Sequence, residues 1–191
     1  MSRYFSESYF QNYRYRLNEA QQREFSDHIA DSAADTTFDI FLSYNFEDRE
    51  IVRGVYLWLR NKGFKVYLDF EVDPELDRRN VTKETALLIQ SRLKHSKSLI
   101  YAQSPHANMS KWMPWELGYV DGHTGKCAIL PITPGGVTPA SRQEYLLLYP
   151  LLQERIQGLI VSIYSVNCKQ YDIFILFIYV ILMAEYGYML A

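Results

Sequence analysis

The chain is poor in cysteine, in histidine and in net charge, and each shortage removes a class of function. Its two cysteines, Cys127 and Cys168, stand in unrelated contexts, one in an apolar run and one near a polar turn. They make neither a disulfide framework nor a Cys-x-x-Cys pair, which fits reduced thiols in a cytoplasm. The four histidines are scattered without His-x-x-x-His spacing, so no metal site is expected. Twenty basic residues face 22 acidic ones, for a net charge of −2. No Lys/Arg stripe forms, and nucleic acid is not an expected partner. A P-loop, a Gly-x-Gly-x-x-Gly turn and a Gly-x-Ser-x-Gly elbow are also missing. No apolar run follows Met1-Ser2-Arg3-Tyr4-Phe5, so a signal peptide is not expected. Ile173 to Ala184 is apolar throughout but is bounded by Asp172 and Glu185. That is short of the ~20 residues a membrane span needs. The reading is a cytoplasmic protein with no membrane anchor.

What the sequence does have is apolar and aromatic residues enough for a full core, 48% of the chain. One domain with appendages suits the length. Residues 1–36 read as a helical N-terminal extension. Tyr4, Phe5, Tyr9, Phe10, Tyr13 and Tyr15 crowd its start and are expected to dock on the domain or on a partner. Residues 37–165 alternate strand and helix signals. Residues 166–191 read as an apolar C-terminal helix, packed on the domain or at an oligomer interface.

Within the central segment, strands are expected at residues 38–43, 64–69, 98–102, 127–132 and 158–163. Between them, Ile51, Val55, Trp58 and Leu59 recur at helical spacing until Gly63 stops the helix. Asn80 can cap a helix that carries Ala86, Ile89 and Leu93 on one face, and residues 144–152 read as a short helix. This rhythm predicts an α/β fold, a central parallel five-stranded sheet with helices on both faces. Ligands of such sheets sit outside the carboxyl ends of the strands. Those ends are Ser43-Tyr44-Asn45, Asp69-Phe70 and Gln103-Ser104.

Just beyond the third of these ends lies Ser110-Lys111-Trp112-Met113-Pro114-Trp115-Glu116-Leu117-Gly118-Tyr119. Ser110 can cap a helix here, and Pro114 falls in or next to the first turn, where its missing N–H costs least. Trp112 and Glu116 are four apart and share one face, so a single carboxylate stands beside an indole. Read alone, Glu116 could equally be a solvated acid that complements the helix dipole. Trp112 and Trp115 could equally be core.

Taken together, these residues resemble a TIR domain, the Toll/interleukin-1-receptor family. The resemblance rests on Phe38-Asp39-Ile40-Phe41-Leu42-Ser43-Tyr44, on Val66-Tyr67-Leu68-Asp69 with the long acidic loop after it, and on the Trp112-x-x-x-Glu116 helix. It covers roughly residues 37–163 and implies a flavodoxin-like TIR fold. It is strongest to stand-alone bacterial NAD-consuming TIR proteins, such as the TIR component of Thoeris-type antiphage systems.

That resemblance implies cleavage of the nicotinamide–ribose bond of NAD+, with NAD+ a consumed substrate and no bound cofactor. The reaction passes through an oxocarbenium-like sugar that one carboxylate can stabilise or capture. Nicotinamide leaves as a neutral base, so no general acid is required. Glu116 is the catalytic candidate. Trp112 would wall the pocket. Ser43, Tyr44 and Asn45 would hold ribose or phosphate, and Asp69 the nicotinamide side, although Asp69 can also cap its own loop. Arg78 and Arg79 could reach the pyrophosphate, but a solvated pair suits them better, and His95, His106 and His123 read as surface or capping residues. The product would be ADP-ribose, a cyclic isomer or a conjugate, sent as a nucleotide signal to a downstream effector. Further TIR copies are expected partners on activation. The alternative is a non-catalytic TIR module acting by self-assembly. A receiver domain is excluded, since it needs acids where Ser43, Tyr44, Gln103 and Ser104 stand.

Overall fold

A computed structural model describes residues 2–16, 37–73, 82–136, 143–155 and 158–162. In chain order the elements are β1 (Ser2–Arg3), β2 (Phe5–Ser6), α1 (Glu7–Gln11), β3 (Ile40–Ser43), α2 (Arg49–Arg60), β4 (Val66–Tyr67) and α3 (Asp69–Val72). Then follow α4 (Lys83–Lys94), β5 (Leu99–Gln103), α5 (Trp112–Thr124), β6 (Cys127–Thr133), β7 (Leu151–Arg155) and β8 (Gly158–Ser162).

The strands β4-β3-β5-β6-β7 are parallel neighbours in that order, which is the flavodoxin-like arrangement. The order reverses between β3 and β5, the position at which sheets of this kind bind ligands. Their residues are apolar on both faces, as a doubly covered parallel sheet requires. Ile40, Leu42, Ile100 and Ala102 pack with α1 and α2. Phe41, Leu99 and Tyr101 alternate to the opposite face, where Ile89 and Leu93 of α4 and Met113, Leu117 and Val120 of α5 cover them.

Helix α2 buries Ile51, Val55, Trp58 and Leu59, the four positions read from helical spacing. Gly63, at φ +83°, reverses the chain just past its end. Helix α4 starts from Thr82, whose hydroxyl accepts from the Thr85 N–H. Its predicted cap, Asn80, lies outside the described residues. So do Arg78, Arg79, Cys168 and the C-terminal segment 166–191.

Two expectations are corrected. The fifth parallel strand is β7, not the segment after it, and residues 144–148 are a short 3-10 turn before β7. Strand β8 runs antiparallel to β7, from Leu151↔Ser162 to Arg155↔Gly158. With so few residues between them the pair can only form a hairpin, because a parallel crossover needs a dozen or more. The opening residues also enter the sheet. Strand β1 pairs antiparallel with β7, and β2 pairs parallel with β6 through Phe5↔Ile132 and Ser6↔Thr133. Among the described residues of the extension, 2–16, Glu7–Gln11 is α-helical, capped by the Ser6 hydroxyl, and residues 17–36 lie outside the described ones. Phe5 and Phe10 are buried edge-on against Trp58, at 5.2 and 5.8 Å between ring centroids.

Candidate active site

The site follows from strand parity. Leu42 points toward α2, so Ser43 points to the other face, where α5 runs back from the end of β5. Glu116, one turn into α5, is 0% exposed and accepts a hydrogen bond from the Ser43 hydroxyl, Oγ to Oε2, at 2.6 Å. Burying a carboxylate is costly unless donors compensate, and a short hydroxyl–carboxylate bond is such a donor. Ser110 starts α5 as expected, its hydroxyl accepting from the Trp112 and Met113 N–H groups at 3.3 and 3.2 Å. Trp112 is half-buried and meets Trp115 edge-on at 5.6 Å, which in turn tilts onto Tyr119 at 5.7 Å. An aromatic strip therefore runs along α5 beside the acid.

The other named residues sit along the same rim. Tyr44 alternates back to the α2 face and donates its hydroxyl to Asp69 Oδ1 at 2.5 Å. Asp69, 1% exposed at the start of α3, also accepts from the Phe70 N–H at 2.8 Å. These two residues thus tie the ends of β3 and β4 together. Asn45 donates from Nδ2 to the carbonyl of His106 at 2.7 Å, and its Oδ1 accepts from the Glu47 N–H at 3.0 Å. Asn45 therefore links β3 to the loop between β5 and α5. The geometry joins Ser43 to Glu116 and Asn45 to the next loop at the switch point, while Tyr44 and Asp69 are joined to each other on the β4 side and not to Glu116.

Two residues were not read as site residues. Asp48, 3% exposed just after the β3 loop, accepts from the Ser104 hydroxyl at 2.5 Å and the His106 N–H at 2.9 Å. Its Oδ1 also contacts the His106 ring at Nδ1, 2.6 Å away. As read from the sequence, His106 is exposed; it precedes the short turn Ala107–Met109, and Asp48 holds its pKa above the usual histidine value. A buried aspartate 58 residues from its partner leaves no local signal. Tyr101 lies in register beside Ser43, fully buried. Burial first, then Tyr145 and the nearby Glu116 charge, push its hydroxyl pKa up, so it stays neutral.

Among the described residues, no group of three or more His, Cys, Asp or Glu side chains could hold a metal ion. None of their helices is long and apolar enough to cross a membrane.

An open parallel sheet with buried carboxylates, Glu116 and Asp48, after the adjoining ends of β3 and β5 defines an α/β protein of the doubly wound kind. The family model for the TIR domain matches residues 40–157, and the chain belongs to the TIR-domain family. Over 114 residues it is 44% identical to the probable 3' cyclic ADP-D-ribose synthase ThsB' of Bacillus cereus (strain MSX-D12), a match covering 59% of each chain. Over 83 residues it is 22% identical to the putative cyclic ADP-D-ribose synthase TIR2 of Cytobacillus dafuensis, covering 43% of this chain and 22% of that protein. The chain thus spans about three-fifths of the first relative and less than a quarter of the second.

Proposed function

We propose that the chain cleaves the nicotinamide–ribose bond of NAD+ and makes an ADP-ribose-derived signal, of the cyclic type, in antiphage defence. The observation that carries the reading is Glu116 itself, a fully buried carboxylate held by Ser43 where the sheet order reverses. An interaction module has no use for an acid placed there. The names of the two relatives, both cyclic ADP-D-ribose synthases, supply the substrate class and the type of product.

In this reading Glu116 faces the ribose and stabilises the cationic sugar as nicotinamide departs. Ser43 fixes one carboxylate oxygen, so the acid needs no reorganisation as charge develops. Trp112 walls the crevice and excludes water. Asn45 binds ribose or phosphate, while Tyr44 and Asp69 shape the nicotinamide end. NAD+ is consumed, and no bound cofactor takes part. The reading further places the protein in the cytoplasm, with other TIR copies as partners on activation and a separate effector downstream.

The test is nicotinamide release from NAD+ by concentrated protein, wild type against Glu116→Gln, with the product identified by mass. The variant keeps the side-chain shape and is expected to lose release roughly 1000-fold, about 4 kcal/mol of transition-state stabilisation. Equal release by the two proteins would remove Glu116 from the chemistry. No release from a folded wild type would give the lead to self-assembly without catalysis.

A further inference from the structure

We propose that His106, oriented by Asp48, is the base that accepts the proton of the hydroxyl group capturing the ribosyl cation. The inference rests on the NAD+-cleaving reading and assigns the step that follows nicotinamide departure.

The first argument is how Asp48 uses its carboxylate. It stands at the start of α2, where an aspartate ordinarily caps its own helix, yet it makes no such bond. Both oxygens turn instead to the loop after β5. One accepts from the Ser104 hydroxyl and the His106 N–H, and the other holds the His106 ring. The first oxygen alone is enough to pin the loop. The second does something different, because it fixes which ring nitrogen carries the proton. With Asp48 accepting at Nδ1, the neutral imidazole is assigned its hydrogen there and its lone pair on Nε2. The Asp48 side chain is 2% exposed and the His106 side chain 48%, so a buried acid backs a ring that solvent can reach. That is the division of labour of a base and its orienting carboxylate.

The second argument is place. Asn45 Nδ2 binds the carbonyl of His106, and Asn45 lies two residues after Ser43, which holds Glu116. Ser104 follows β5 directly. The pair and Glu116 therefore lie in segments that follow the adjoining carboxyl ends of β3 and β5. Glu116 has no role in moving a proton in the first step, since nicotinamide needs none. The second step does release one, and His106, half-exposed and oriented by a buried acid just after β5, is assigned to take it.

The step balances. The C–N bond to nicotinamide breaks, and its electron pair leaves with the nicotinamide nitrogen. The cationic sugar carbon then accepts a lone pair from an acceptor hydroxyl, forming a C–O bond. The hydroxyl proton passes to His106 Nε2 and from the imidazolium to solvent. A hydroxyl of the same ADP-ribosyl unit gives a cyclic product, and water gives ADP-ribose. Either way one proton is released for each nicotinamide.

The carboxylates acting on the ring are Asp48 first, then Glu47 beside it and Glu7 from α1. All three favour the protonated ring, so the neutral, active form fills only as pH rises above the usual histidine range.

The experiment is a steady-state pH profile of nicotinamide release and product mass for full-length wild type, His106→Gln and Asp48→Asn. Wild type is expected to show kcat rising with pH through a single ionisation above about 6.5, the ordinary histidine value. His106→Gln can still bond Asp48, so the loop stays in place. It should lower kcat roughly 100-fold with KM little changed and no acid limb. Asp48→Asn should move the limb to lower pH. A limb that persists in a folded His106→Gln protein, or a rate equal to wild type, overturns the inference alone. Wild type that releases no nicotinamide overturns the parent reading, and this inference falls with it.

Discussion

The two ends of the sheet handle acidic residues in opposite ways. At the amino end, Asp39 precedes β3 and is bound by the Lys97 ammonium at 2.7 Å and the Lys65 N–H at 2.9 Å. Lys97 is 63% exposed, so the pair lies in water and ties loops at little gain. At the carboxyl end stand Asp48, Asp69 and Glu116; the fourth buried acid among the described residues, Asp73, lies beside Arg92 in the last turn of α4. Asp73 is gripped by Arg92, which bonds it from Nε at 3.0 Å and a terminal nitrogen at 2.7 Å, and it accepts from Tyr67 at 2.9 Å. Arg92 is itself flanked by the rings of Phe38 and Tyr67, each 5.7 Å away. Glu116 accepts from the uncharged Ser43 hydroxyl. The lesson is that burial by itself does not mark a functional acid. Asp73 is paired with a guanidinium and built in, whereas Glu116 accepts from a hydroxyl at a strand end.

Four substitutions sharpen or break that contrast. Arg92→Ala should destabilise most, by about 3 kcal/mol in chemical denaturation, because it strips the cation from a buried acid. A loss below 1 kcal/mol, on the order of a surface pair, would show that Asp73 is not structurally committed. Ser43→Ala should cut nicotinamide release roughly fiftyfold, about 2.3 kcal/mol, by removing a charge-assisted donor from Glu116. Unchanged release would separate that bond from the chemistry. Gly54→Ala touches neither end. Its new Cβ would lie 2.0 Å from the Phe10 carbonyl oxygen, where backbone cannot yield cheaply. A loss of about 2 kcal/mol is expected, read as a lower unfolding midpoint. Lys97→Ala should cost least, under ~0.5 kcal/mol, and even that should fade in high salt.

The sequence made much of the fold legible because the inner strands are buried on both faces and read as apolar runs. Strands β3 to β6 fall where Ile40, Val66, Leu99 and Cys127 begin such runs. Strand β7 was hidden because Leu151-Leu152-Gln153-Glu154-Arg155 turns polar halfway, like the end of a helix. Pro150, which disfavours helix in the residue before it, was the available cue. The pairing of Phe5 with Ile132 is set by distant partners, and no local pattern encodes it. At the site the same rule holds. Glu116 and Trp112 announce themselves by helical spacing, and Ser43 by its place at a strand end. Asp48 and His106 are ordinary residues in their own neighbourhoods and acquire meaning only when β3 and β5 lie side by side.

The pairing of β2 with β6 also bears on how the chain is made. Phe5 leaves the ribosome long before Ile132, and Phe10 long before the finished sheet that its helix covers. Until β6 is in place, the ring cluster of Phe5, Phe10 and Trp58 lacks one wall. The Phe5–Ile132 pairing therefore has a high sequence separation, which slows folding and leaves sticky aromatics waiting.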